Sequence, residues 1–323
     1  MIEKGITVVI PNYNGQRFLK DCLLALQHQT EPEFDTIVVD NGSTDASLTQ
    51  LKEFPNVQVI RFEENKGFCT AVNAGIKASK TPYVVLLNND TKVFPDFLEQ
   101  LRKSIEQSED VFSVSSKMLM MSDERKIDDA GDFYSALGWA FGRGKGKEAK
   151  KYVCRDRIFA ASGGASIYRR AVFEKIGYFD ENHFAYLEDI DIGYRANIYG
   201  YKNYFEPKAK VLHYGSGFSG SKYNEFKVKL SAKNSIYIIG KNMPLLQIII
   251  NIPFLVAGFF IKYLFFMKKG MGKTYLKGIG TGLKLTFSKE GRRNKIPFFW
   301  ENITNYIRIQ FELWINIFRR FLS

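Results

Sequence analysis

The chain of 323 residues is 45% hydrophobic and 25% charged, enough for one large domain or two modest ones with buried cores. That balance excludes a disordered chain, a collagen and a disulfide scaffold. The net charge of +12 is unevenly placed: residues 1–200 hold 25 Lys and Arg against 29 Asp and Glu (−4), and residues 201–323 hold 21 against 5 (+16). This division predicts a near-neutral catalytic unit followed by an anion-seeking one, the anion being nucleic acid or a membrane's cytoplasmic face. Cys22, Cys69 and Cys154 are odd in number and irregularly spaced, which fits a reducing compartment and no metal cage. Met1 leads into an apolar run without a cleavable signal pattern, so the active part is expected in the cytoplasm.

Residues 6–10 read as a short buried strand, ended by the turn-forming run Pro11-Asn12-Tyr13-Asn14-Gly15, and a helix follows to about His28. Residues 36–39 are the second predicted strand, closing on Asp40-Asn41-Gly42, with a helix from Ser43 or Thr44 to about Glu53. Residues 57–62 are the third, followed by a helix over 67–79. Residues 83–87 are the fourth, closing on Asn88-Asn89-Asp90, with a helix over 95–107, and residues 111–115 are the fifth. Short β-rich runs separated by amphipathic helices predict an α/β fold, a doubly wound, mostly parallel sheet with helices on both faces. In such sheets ligands bind beyond the carboxyl ends of the strands. The polar runs Asn12 to Asn14, Asp40 to Ser43, Asn65 and Asn88 to Asp90 all fall there. Any one of them is an ordinary turn; four at one sheet edge mark a site. Residues 130–157, rich in Gly, Lys and Arg, read as an exposed mobile connection, with a loop over an acceptor groove as the functional alternative.

Asp90 ends an apolar strand behind two asparagines, a setting that suits a hard divalent cation bridging phosphate oxygens and equally an Asx turn. Glu188-Asp189-Ile190-Asp191 opens a predicted helix over 186–199. Acidic residues in a first turn also favour the helix dipole, so this segment alone leaves both readings open.

Together, the runs Thr7 to Asn14, Val38 to Asp45, Asn65-Lys66-Gly67-Phe68 with Asn73-Ala74-Gly75, and Leu86 to Asp90 resemble family 2 glycosyltransferases of the GT-A fold. Ala161 to Ala165, Gly177-Tyr178-Phe179-Asp180, Phe184 to Asp191, Arg195 and Val211-Leu212-His213 add a likeness to the family's rhamnosyltransferase-like branch. The likeness covers about residues 5–220 with order and spacing intact. It implies a nucleotide-sugar-binding catalytic domain over 1–220, followed by a helical, basic, aromatic region over 221–323. It also implies that Pro11, Asn12, Asn14, Asp40, Asn41, Ser43, Asn65 and Asn89 grip the nucleotide, Asp40 by accepting from the pyrimidine imide N–H. Asn88-Asn89-Asp90 matches the family's Asp-x-Asp metal element with Asn88 in place of the first Asp, which leaves Asp90 as the carboxylate ligand. His213 matches a position that completes the metal site in some relatives, the ion being Mg²⁺ or Mn²⁺; a structural histidine is the alternative.

Asp189 matches the family's catalytic base. A sugar hydroxyl is a poor nucleophile until a positioned carboxylate takes its proton, and a divalent ion neutralises the departing diphosphate. One base and one metal on opposite sides describe a single in-line displacement that inverts the anomeric carbon. Gly163 and Gly164 are expected to let backbone approach the donor sugar or acceptor. Glu188, Asp191 and Arg195 are expected to position substrate or orient Asp189. No Arg-Trp pair occurs, so the Gln-x-x-Arg-Trp element of processive members is missing and transfer of one or a few sugars is expected.

Residues 245–267 are interrupted only by Gln247, Asn251 and Lys262 among strongly polar types. At ~1.5 Å per residue a helix of that length reaches across a bilayer. Lys268, Lys269, Lys273, Lys277 and Arg292-Arg293 follow it, so both flanks favour the cytoplasmic side, and Pro253 predicts a break. In-plane or re-entrant association is the better reading. Trp300, Ile303, Ile307, Phe311, Trp314, Phe318 and Phe321 then recur at steps of three and four beside Arg308, Arg319 and Arg320. Such a stripe suits a membrane interface; packing on the domain or in a homo-oligomer is the alternative. No nucleic-acid partner is expected, because the aromatics sit in apolar stripes and are not interleaved with a basic face.

The sequence thus predicts an inverting, metal-dependent glycosyltransferase, peripheral on the inner face of the cell membrane. It is expected to move rhamnose from dTDP-rhamnose to a hydroxyl of a lipid-linked cell-surface glycan intermediate. A UDP-hexose or UDP-galactofuranose donor would use the same nucleotide and metal residues. A sugar-nucleotide nucleotidyltransferase is the remoter alternative; it calls for a basic phosphate loop after the first strand, where no cation appears before Arg17.

Overall fold

A computed structural model describes residues 5–215 and 223–322, without the side chains of 321 and 322. The expected boundary at residue 220 and the Phe321 side chain lie outside the described residues. The strands are Ile6–Asn12 (β1), Phe34–Asn41 (β2), Gln58–Phe62 (β3), Tyr83–Leu87 (β4), Thr91–Val93 (β5) and Val111–Met120 (β6). Asp123–Asp129 (β7), Asp132–Tyr134 (β8), Ala140–Gly142 (β9), Asp156–Ile158 (β10), Ala165–Arg169 (β11) and Lys202–His213 (β12) follow. Helices Leu19–Gln27 (α1), Ser47–Gln50 (α2), Phe68–Ala78 (α3), Phe97–Ile105 (α4), Arg170–Ile176 (α5) and Glu188–Ile198 (α6) alternate with them. The chain ends in helices Glu225–Asn242 (α7), Leu245–Lys268 (α8), Gly272–Phe287 (α9), Lys289–Arg293 (α10) and Ile303–Leu322 (α11).

The apolar runs of β1, β2 and β4 are buried on both faces, as a parallel sheet covered by helices requires. Side chains alternate across it: Ile6, Val8 and Ile10 pack with Leu23 of α1 and Leu101 of α4, whereas Val9 packs with Val72 and Ile76 of α3. The strand order is β3-β2-β1-β4-β11-β6-β12-β10. β1 runs parallel to β2 and β4, β12 runs parallel to β6, and β11 is antiparallel between β4 and β6. The fold is therefore the expected mostly parallel, doubly wound sheet. Its chain moves from β1 out to β3 and returns to β4 on β1's other side, so the connections diverge between β1 and β4 and open a crevice there.

Three local expectations fail. The helix expected from Ser43 or Thr44 to Glu53 starts only at Ser47, as α2 followed by a 3₁₀ turn over Leu51–Glu53, because Asp45 accepts from the Ser47 N–H and hydroxyl and holds the residues before it in a turn. Residues 130–157 do not form a mobile loop: β8, β9 and β10 lie within them, and Phe133, Tyr134, Ala136 and Leu137 are buried. The glycines and lysines masked these apolar residues. Helix α8 also runs unbroken through Pro253, held against the domain on either side of it by Asn251 and by Gly258, whose carbonyl accepts from Trp139.

The C-terminal helices share the sheet's core: Ile238, Ile239 and Met243 of α7, Leu255 of α8, and Tyr306, Ile309 and Leu313 of α11 pack in one cluster with Ile37 and Phe159. A buried ion cluster fixes the joint between α6 and α7. Asp191 is inaccessible and accepts from Arg195 Nη2 at 2.8 Å, Lys241 Nζ at 2.9 Å and Asn242 Nδ2 at 2.8 Å. Lys241 also reaches Asp180 at 2.7 Å, and Arg195 donates to the carbonyls of Ile176, Gly177 and Tyr178. Burial pushes the Asp191 carboxyl up, but Arg195 and Lys241 outweigh it and hold it well below the usual range. Removing this carboxylate leaves buried cations uncompensated. Asp191→Ala is expected to lose ~3–5 kcal/mol of stability, read as the shift of a urea unfolding curve.

Candidate active site

A cavity of about 440 Å³ opens at the carboxyl ends of β1, β2 and β4. Of the residues singled out from the sequence, Pro11, Asn12, Asn14, Asn41, Asn65, Asn89, Asp90, Gly163, Gly164, Glu188, Asp189 and His213 line it. Asp40, Ser43, Asp191 and Arg195 do not. Segments far apart in the chain therefore converge on one site, because four strand ends and the start of α6 meet at the point where the connections diverge.

One wall is built of asparagines. Asn89 Nδ2 donates to Asn12 Oδ1 at 2.8 Å across the β1–β4 gap. A Cβ on Gly15 would sit 2.1 Å from that Asn89 nitrogen, so only glycine admits this bridge. Asn41 Nδ2 donates to Asn65 Oδ1 at 3.0 Å and to the Gly67 carbonyl at 3.1 Å, which ties the β2 and β3 loops together. Asp40 corrects an expectation. It is fully buried, and its oxygens accept from Asn12 Nδ2 at 3.0 Å and Ser43 N–H at 3.1 Å. Ser43 Oγ in turn accepts from Asn14 N–H at 2.9 Å and from Asn12 Nδ2 at 3.2 Å. Asp40 and Ser43 thus stand behind the wall and aim Asn12 and Asn14.

On a second wall His213 lies between two carboxylates, with Nδ1 2.6 Å from Asp128 and Nε2 3.3 Å from Asp90. Lys145 pairs with Asp128 at 2.7 Å and lines the cavity. Burial lowers the His213 pKa, but Asp128 and Asp90 outweigh it and raise the group to about 9. Burial conversely raises Asp128, yet His213 and Lys145 bring it to about 2. A ring held by a carboxylate through Nδ1 turns Nε2 outward as a ligand. Asp90 Oδ1 faces that nitrogen at 3.3 Å, so once Nε2 gives up its proton the pair offers an oxygen and a nitrogen to one divalent ion. Among the described residues no group of three or more His, Cys, Asp or Glu could hold a metal unaided. One carboxylate with substrate phosphates is how Mg²⁺-type sites are commonly completed, so the donor set fits.

The third wall carries the acids. Phe184, Tyr186 and Leu187 all adopt φ between 64° and 67°, a left-handed conformation costing ~1–3 kcal/mol for each such non-glycine residue. Asn234 of α7 offsets this strain: its Nδ2 donates to the carbonyls of His183, Ala185 and Tyr186 at 3.0, 2.9 and 2.7 Å. The turn delivers Glu188 and Asp189 to the cavity at the first residues of α6. Asp189 Oδ1 accepts from the Ile190 N–H at 2.7 Å, and its carboxyl shares a hydrogen bond with Asp132. Burial raises both carboxyls, Asp132 further because the Asp129 and Asp189 charges add to it, so Asp132 carries the shared proton. Burial and the Asp189 charge push Glu188 up to about 8, so it is mostly protonated at neutral pH. Asp191 and Arg195, expected beside substrate, are the buried cluster described above; they turn away from the cavity because their helical positions face α5 and α7.

Asp128, Asp129, Asp132, Lys145 and Asn234 were not singled out from the sequence. The first three stand in Asp128-Asp129-Ala130-Gly131-Asp132, an acidic run after a β-rich stretch, which was the available signal. Asn234 lies within α7 and carries none.

Residues 7–177 match the sequence profile described as glycosyl transferase family 2. The chain is 24% identical over 241 residues to the N-acetylglucosaminyl-diphospho-decaprenol L-rhamnosyltransferase of Mycobacterium tuberculosis, covering 67% of this chain and 78% of that protein. It is 34% identical over 108 residues to glycosyltransferase GlyA of Streptococcus pneumoniae, covering 32% of this chain but only 16% of that longer protein. In structure it resembles the mannosyltransferase PcManGT of Pyrobaculum calidifontis, solved with GDP-Man and Mn²⁺, at a TM-score of 0.55 and 16% identity over 90% of this chain and 89% of that one. With a GT-A-like sheet and a profile match over more than half its length, the chain belongs to glycosyltransferase family 2.

Proposed function

We propose that this glycosyltransferase moves a sugar, with inversion, from a pyrimidine nucleoside diphosphate to a hydroxyl of a lipid-linked glycan at the cytoplasmic face of the membrane. The observation that carries the reading is the placement of Asp189 and the Asp90–His213 pair on different walls of one cavity whose remaining wall is asparagine amides. Rhamnose from dTDP-rhamnose is the preferred donor, supported by the extent of the match to the mycobacterial rhamnosyltransferase. A UDP-hexose or UDP-galactofuranose donor is the second reading, since the nucleotide wall does not depend on the sugar.

Asp189 accepts the proton of the acceptor hydroxyl as the glycosidic bond forms. The hydrogen bonds from Asp132 and from the Ile190 N–H hold that carboxylate in place. Glu188, mostly protonated at neutral pH and with Oε2 lacking a partner among the described residues, offers its O–H to a sugar hydroxyl without adding a second negative charge. Asn14, Asn65 and Asn89 face the nucleotide, Asn12 and Asn41 brace them from within the wall, and Lys145 faces the diphosphate. Asp90 and His213 would hold Mg²⁺ or Mn²⁺, which when bound supplies positive charge against the leaving diphosphate. Gly163 and Gly164 form the floor: Cβ atoms there would press on Phe68 at 3.2 Å and on Asn88 at 3.1 Å.

Asp189→Asn is expected to lower transfer by at least about a hundredfold while calorimetry finds nucleotide affinity unchanged; loss of both would make the residue structural. The Asp189 carboxyl is raised, and only its ionised form accepts a proton. The rate should therefore fall as pH drops through a midpoint above the ordinary aspartate value, and a midpoint at or below that value contradicts the role. Asp128→Ala frees the His213 ring and is expected to weaken Mn²⁺ binding ~10–100-fold, measured by metal titration. Release of dTDP from dTDP-rhamnose, compared with UDP from UDP-sugars, decides the donor.

A further inference from the structure

Helix α8 has its polar residues inside and its apolar ones outside. Its buried positions are Gln247, Asn251, Leu255 and Gly258. Gln247 Oε1 accepts from the Tyr194 hydroxyl at 2.5 Å, Asn251 exchanges amide bonds with Gln310 of α11 at 2.8 and 2.9 Å, and the Gly258 carbonyl accepts from Trp139 at 3.0 Å. The rest of its circumference exposes eleven large hydrophobic side chains, among them Leu246, Ile249, Val256 and Phe260. Trp314 also donates to Asn251 at 3.1 Å and ties α11 alongside, so exposed Ile307, Phe311 and Phe318 extend the same surface. A water-facing helix shows the opposite distribution, and soluble monomers do not leave an apolar area of this extent open.

We propose that this face is a membrane seat: α8 and α11 lie in the bilayer plane, outer rows among the acyl chains and inner rows still bonded to the catalytic core. The charge around the face selects an anionic bilayer over a second copy of the chain. Lys268 and Lys269 end α8, and exposed Lys273, Lys277 and Lys284 follow on α9. A two-fold interface built on this patch brings those lysines against their own copies, whereas anionic headgroups attract each of them. The inward bonds also rule out a crossing. A span would strip Gln247 and Asn251 from Tyr194, Gln310 and Trp314 and turn them to hydrocarbon without partners. Immersion by about 5–10 Å satisfies both faces.

The seat deepens the reading of a lipid-linked acceptor and, in that respect, rests on it. Near the C-terminal end of α8, Phe265 and Phe266 pack edge-on against Tyr223 at 5.6 and 5.9 Å. Three residues on, Phe226 is 52% exposed, lines the cavity and packs against Phe184 at 6.1 Å. An aromatic strip thus leads from the lipid face to the acid wall, where an acceptor carried on an acyl or isoprenoid chain would arrive.

The test is flotation of the full chain with vesicles of phosphatidylcholine, with and without phosphatidylglycerol. The protein is expected to float with the anionic vesicles and much less with the neutral ones. The double variant Val256→Glu, Phe260→Glu should lower the bound fraction more than about tenfold with melting temperature and nucleotide binding unchanged. If that variant does not fold, tryptophan fluorescence of the wild type in vesicles of brominated lipid provides the reading. Quenching stronger for bromines near the carbonyl end of the acyl chain than near its methyl end is expected. A wild type that ignores anionic vesicles, quenching absent or deepest at the methyl end, or a stable dimer in light scattering that the double variant splits, overturns the seat. No arm uses sugar transfer, so failure of the seat and failure of the donor assignment are read separately.

Discussion

The contact on which the site depends is one amide. Asn234 Nδ2 donates to three carbonyl oxygens of one turn, those of His183, Ala185 and Tyr186, and keeps Phe184, Tyr186 and Leu187 in the left-handed region without a glycine among them. A strained segment of this kind persists only where its surroundings over-determine it, and here the surroundings belong to α7. Relaxed to ordinary φ, the turn would no longer place Glu188 and Asp189 in the cavity. The Asp191–Arg195–Lys241 cluster acts on the same joint one helical turn further on. The C-terminal helices therefore belong to the geometry of the acid wall as much as the sheet does.

Within the cavity, charge is sorted by neighbour and not by residue type. Asp128 is held ionised by His213 and Lys145, whereas Asp132 and Glu188 are raised by burial and by neighbouring carboxylates; Asp129, raised by burial and by Asp128 and Asp189 by more than Lys145 offsets, reaches about 7. On the His213 wall the carboxylates thus lie against His213 and Lys145, positive groups whose place a metal ion would take, and the opposite wall carries carboxyls poised to exchange protons. Environments that push like groups apart in this way assign acid and base roles. Asp132, supplied by β8, connects the two walls through the short acidic run that also contains Asp128.

The strand runs were legible because a parallel sheet buried on both faces needs unbroken apolar stretches, and the asparagine-rich strand ends because turns and ligand sites draw on the same residues. What the sequence hid follows from tertiary context. Asp40 and Arg195 carry the charge expected of substrate contacts, yet burial turns them into supports for Asn12 and for α6. Residues 130–157 look like a solvated loop by composition, but Phe133, Tyr134 and Leu137 are core residues that periodicity over such short strands does not reveal. The C-terminal stripe at Ile303, Ile307, Phe311 and Phe318 was visible, and it faces outward, while Tyr306, Ile309 and Leu313 between its members attach α11 to the core. Helix α8 was recognisable as apolar; only the packing shows that its few polar residues face the protein.

The central claim is that the cation-holding wall and the base wall serve one substrate bound between them. A crystal structure of the protein soaked with Mn²⁺ and the sugar nucleotide tests this most directly through the anomalous scattering of manganese. The account requires a single strong anomalous peak within bonding distance of Asp90 and His213 Nε2, touching the diphosphate, with the anomeric carbon turned toward Asp189. Manganese or diphosphate lodged elsewhere, or an anomeric carbon facing away from the acid wall, contradicts it.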